Sequence, residues 1–166
     1  MHLRTINHLV RGIVDIMIGM NREQAIEELF YQSGRHEDVE SPRWTYGFLG
    51  MLRRFQGQLF EENFHNIIRA LYVLSEDIAQ DEVRNEIIAS IWGICHLARA
   101  WAVYPEGLLQ SNNVISTEQV TQIEGWIEQI SYITFCLLDG CGVEIAFEFY
   151  EVKYGDLDSE CSPLHE

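Results

Sequence analysis

A chain of 166 residues, 47% of them apolar, is long enough to close one hydrophobic core and too apolar to remain disordered. A formal charge of −15 argues against nucleic acid or an anionic membrane as the direct partner, because both would be repelled. The acid is local: residues 101–166 carry twelve acids against one base, Lys153, whereas residues 1–60 carry seven of each sign.

In chain order, Leu3, Ile6, Val10, Ile13 and Met17 recur at helical spacing opposite Arg4, His8, Arg11 and Asp15, which predicts a helix over residues 3–18. Arg11 and Asp15 interrupt the apolar run that a secretory signal needs. Asn21 with Gln24 forms a capping-box pattern and opens a second helix to Gln32, burying Ile26, Leu29 and Phe30 before Ser33-Gly34 ends it. Ser41-Pro42 opens the next, with Trp44, Phe48, Met51, Phe55 and Leu59 on its inner face. Gly47, Gly50 and Gly57 interrupt that pattern, each costing ~1 kcal/mol against alanine. Either they admit a neighbouring helix closely, or the helix ends near Gln56 and restarts at Glu61.

Phe64, Ile67, Leu71, Leu74 and Ile78 predict a helix from Glu61 to Gln80. Asp81 is the expected cap of the next one, which turns Val83, Ile87, Ile91, Ile94, Ala98 and Trp101 inward until Pro105 and Gly107 stop it. Ser116 with Gln119 repeats the capping-box pattern and opens a helix that buries Val120, Ile123, Ile127, Ile130 and Leu137 and closes at Gly140. Residues 142–154 read two ways. Val143, Ile145, Phe147 and Phe149 alternate like a strand, whereas Glu144, Glu148 and Glu151 fall at helical spacing; Glu151 fits only the helix, which is therefore preferred. The sum is an all-α, single-domain bundle over residues 1–154, with six or seven helices and mostly antiparallel neighbours. An acidic, frayed tail follows over 155–166.

Motifs for chemistry are sparse. Glu62-x-x-His65 places a carboxylate and an imidazole on one helix face, but a di-metal helical site needs that pair twice. Cys95 and His96 are adjacent, so on a helix they point about 100° apart and do not pair as nucleophile and base. Gly140-Cys141-Gly142 lacks the lysine and hydroxyl of a phosphate loop. No cofactor and no metal is expected. The four cysteines form no C-x-x-C pair, and no uncharged run approaches the ~18 residues of a membrane span, so reduced thiols and a cytoplasmic setting are expected.

What remains is the acid field. Glu124/Glu128 and Glu144/Glu148 are like charges at i, i+4, each pair destabilising by roughly 0.2–0.5 kcal/mol. Trp126, Tyr132, Tyr150 and Tyr154 are interleaved with them. Acids that steer and aromatics that anchor suit a binder of a basic protein. Glu124, Glu128, Asp139, Glu144, Glu148 and Glu151 are the expected face, with Tyr150 as its anchor. Two other classes stay open: a nucleic-acid-mimicking inhibitor of a DNA-binding protein, and a helical metal-binding enzyme using Glu62 and His65.

A small, acidic, all-helical chain without a catalytic signature resembles the bacterial immunity proteins, including those of contact-dependent growth inhibition. The resemblance is one of overall character and carries no motif. It implies a non-catalytic protein whose partner is a basic toxin domain, such as a nuclease, held by stoichiometric inhibition.

Overall fold

Both capping boxes form, and they fix where two helices begin. Asn21 Oδ1 accepts from the Gln24 N–H at 2.9 Å while Gln24 Oε1 accepts from the Asn21 N–H at 2.9 Å. Ser116 and Gln119 make the same reciprocal pair. The computed structural model describes residues 19–80 and 84–155. The helix expected over 3–18, the cap at Asp81, Val83 and the tail from residue 156 lie outside them.

The elements in order are α1 (Arg22–Gln32), α2 (Pro42–Tyr46), α3 (Phe48–Arg53), α4 (Glu61–Val73), α5 (Ser75–Ile78), α6 (Asn85–Ala98), a π-helical turn (Arg99–Val103), α7 (Leu108–Ser111), α8 (Thr117–Leu138) and α9 (Val143–Tyr154). The domain is all-α, and no strand occurs among the described residues. Residues 143–154 are helical, so the strand alternative for this segment is discarded.

Three expected helices are cut. The one opened by Ser41 breaks at Gly47, which is extended at ψ 173°. A Cβ there would stand 2.7 Å from the Arg43 carbonyl oxygen and 2.8 Å from that of Tyr31, so the backbone approaches too closely for any side chain. Of the two readings for the rest of this stretch, the restart at Glu61 holds: the chain leaves helix at Arg53 and re-enters it at Glu61, which puts Phe55 and Leu59 in a connecting loop. The helix from Glu61 ends at Val73, and α5 follows after Leu74. The third departs at Ala98: Tyr104 N–H donates to the Arg99 carbonyl, five residues back, at 2.9 Å. That wider turn shifts the register, so Ala102 is buried where Trp101 was expected, and Trp101 is half-buried.

Packing follows from the faces. Arg22, at the start of α1, pairs with Asp77 of α5 at 2.5 Å, and Gln32, at its end, meets Asn63 near the start of α4 at 3.4 Å. α1 and α4 are thus antiparallel. Tyr132 and Phe149 meet edge-on at 5.5 Å, which makes α8 and α9 an antiparallel hairpin about the turn 139–142. One cluster of buried side chains extends from Ala25 to Tyr150, with Trp126 of α8 stacked on Phe64 of α4 at 5.6 Å. By length and composition alone the run Asn85–Ser111 is apolar enough to cross a membrane. Here Ile87, Ile91, Ile94 and Ala98 turn into the core.

Candidate interaction surface

α8 ends in a Schellman turn that sets the position of α9. Gly140, at φ +73°, donates to the Leu137 carbonyl at 3.3 Å, and Cys141 donates to that of Cys136 at 2.9 Å. Helix α9 then runs back along α8 and buries Ala146, Phe147 and Tyr150.

The expected acids fall into two groups. Glu144, Glu148 and Glu151 share one side of α9. Burial holds the Glu151 carboxyl above the ordinary carboxylate range, and the charges of Glu144 and Glu148 push it further in the same direction. Glu124 and Glu128 are exposed on α8, on the stripe that continues through Ser131, Phe135 and Leu138. Asp139 caps the end of α8 and lies at the turn between the groups. Within both helices Lys153 is the one basic side chain.

Tyr150 stands differently from its expected role as anchor. It is 8% exposed, its hydroxyl is 2.7 Å from His65 Nδ1, and its ring packs against Phe64 and Tyr154. It supports α9 from beneath. Trp126 is likewise buried. The rings that do face solvent are Tyr132 and Phe135 of α8 and Phe149 of α9, the last 62% exposed.

Phe149 belongs to a second apolar stripe of α9, Ile145–Phe149–Val152, at i, i+4, i+7. All three residues are exposed, Val152 by 75%. Tyr132 of the adjoining helix meets Phe149 edge-on, which extends this apolar stripe onto α8 beside the acids. The i, i+4, i+7 spacing is legible in a helical reading of residues 143–154, but Ile145 and Phe149 also fall in the strand-like alternation with Val143 and Phe147, which hides it.

The Glu62/His65 pair is engaged elsewhere. Glu62 Oε1 accepts from Arg69 at 2.7 Å, and the His65 ring faces Tyr150 and Tyr154. Among the described residues no three His, Cys, Asp or Glu side chains are grouped to hold a metal ion. Burial holds the Cys95 thiol above its usual range, and it accepts a hydrogen bond from Ser131 Oγ at 3.4 Å.

No family model, curated protein or solved structure matches this chain. The surface itself therefore carries the functional argument.

Proposed function

We propose that this chain is a non-catalytic binding protein that captures a basic protein partner on the α8–α9 face. The reading closest to that behaviour is an immunity protein that neutralises a nuclease toxin in the cytoplasm. The observation that carries it is the exposed stripe Ile145–Phe149–Val152 beside the ridge Glu144–Glu148–Glu151. Specific interfaces have an apolar centre and a polar rim, and exposed apolar strips of this kind mark contact surfaces. The rim here is acidic, so the partner it suits is basic. The same stripe favours a protein partner over nucleic-acid mimicry, which needs rows of carboxylates without an apolar centre.

Steering by the ridge lifts association toward 10⁸ M⁻¹s⁻¹ at low salt, roughly, against 10⁵–10⁶ for a neutral face. The apolar centre then sets how long the complex lasts. The test uses stopped-flow association with the protein encoded immediately upstream as candidate toxin. Reversal of Glu144 and Glu148 to lysine is expected to slow association at least about tenfold while helicity is unchanged. Phe149→Ala is expected to speed dissociation instead. An unchanged association rate in the charge-reversed protein would remove the ridge from the proposal, and failure of the wild type to bind would remove this partner.

A further inference from the structure

A groove of about 490 Å³ runs between α6 and α8. Its walls are apolar: Ile88, Ile91 and Trp92 from α6, Phe135 and Leu138 from α8. Trp92 is 70% exposed, and His96 lies parallel to it at 6.4 Å, which forms one rim. The polar groups of the floor are already used within the protein. Ser131 Oγ donates to Cys95 Sγ at 3.4 Å, and Thr134 Oγ1 donates to the Ile130 carbonyl at 2.8 Å.

The end of the groove is built differently. Arg99 and Tyr104 line it, and they open and close the π-helical turn. π-helical turns are rare and recur at functional sites. No carboxylate lines the groove in a chain of net charge −15. None stands within ion-pairing distance of Arg99 among the described residues, although the other pairs gather Arg22, Arg43, Arg69 and Arg84. A guanidinium with no ion pair among the described residues, at the end of an apolar groove of ligand size, is the combination that recognises an amphipathic anion.

We propose that this groove binds a small amphipathic carboxylate, its apolar chain along Ile88, Ile91, Phe135 and Leu138 and its carboxylate at Arg99. Arg99 is the one guanidinium in the lining, so it decides whether the anion is accepted. The groove shares Phe135 and Leu138 with the α8 side of the interaction face, but it is tested on the chain alone with small ligands, so its outcome is distinguishable from that of the partner proposed above.

The full chain is titrated with decanoate, decanol and decyltrimethylammonium, followed by tryptophan emission and calorimetry. Decanoate is expected to bind saturably, one per chain, and tighter than the alcohol or the cation. Arg99→Gln is expected to weaken decanoate roughly tenfold and leave decanol unchanged. Phe135→Glu, at an exposed position, is expected to abolish both with far-UV helicity retained. The proposal is overturned by decanoate binding no tighter than decanol or the cation, by equal decanoate affinity in Arg99→Gln, or by no saturation to about 1 mM in a folded protein.

Discussion

Gln32 is 3% exposed and uses both ends of its amide. Its Oε1 accepts from the Phe48 N–H at 2.6 Å, and its Nε2 donates to Glu28 Oε1 at 2.6 Å. Phe48 is the first residue of α3, whose cap Gly47 has no side chain to offer, so Gln32 satisfies that donor from a different helix. Glu28 in turn receives Arg43 at 2.7 Å. Gln32→Leu leaves a buried N–H and a buried carboxylate contact unmet, and urea unfolding is expected to show a loss of about 2–4 kcal/mol. A loss near zero would mean that the Phe48 N–H has another acceptor. From sequence Gln32 reads only as the polar end of a helix, since its partner lies sixteen residues on. Glu151 carries a pH dependence of opposite sense to most carboxylates. Its folded value lies above its unfolded one, so the folded state binds more protons, and this group favours folding as pH falls through the window between the two. Glu151→Gln, which mimics the protonated form, is expected to raise Tm near neutral pH. The gain should vanish once pH drops below the ordinary carboxylate range, about pH 4. A Tm difference constant across that range would contradict the sign.

At the scale of the element, α9 has two apolar stripes and one core to bury them in. Ala146, Phe147 and Tyr150 are inside, while Ile145, Phe149 and Val152 are outside. Phe147→Ala is accordingly expected to cost about 3–5 kcal/mol, and Phe149→Asp to stay within about 0.5 kcal/mol, both by denaturant unfolding. Equal losses would place the helix in the wrong register. Legibility followed the same division. The caps at Asn21, Ser41 and Ser116 were readable because their hydrogen bonds are local. Gly47 was readable as an interruption, but not what it meets, since one of the two carbonyls against it is that of Tyr31 in another helix. The acids of α9 are readable as a helical row, but periodicity alone does not tell which of two apolar stripes is buried, so the sequence does not separate Tyr150 as an anchor of the acidic face from Tyr150 as a core ring.

Across the whole molecule, charge and fold are set by different parts of the sequence. The core spans Ala25 to Tyr150, and its all-α character was evident from 3.6-residue spacing. The negative charge gathers on the last two helices, where like charges face one another with Lys153 as the one local base. Self-repulsion of that kind is screened by salt over a Debye length of about 8 Å at physiological ionic strength. Thermal unfolding is therefore expected to shift upward when sodium chloride is added to a low-salt buffer. A Tm that falls with salt would show that attractive pairs such as Arg22–Asp77 outweigh the repulsion. The π-helical turn Arg99–Val103 has a consequence for how this chain tolerates change in length. It holds one more residue than an α-helical path of the same span, as an insertion into an ordinary helix would leave behind. Removing a residue there rewinds the segment to regular pitch and spares the buried side chains of α6. A deletion within α4 or α8 would instead rotate every later core residue of that helix out of place.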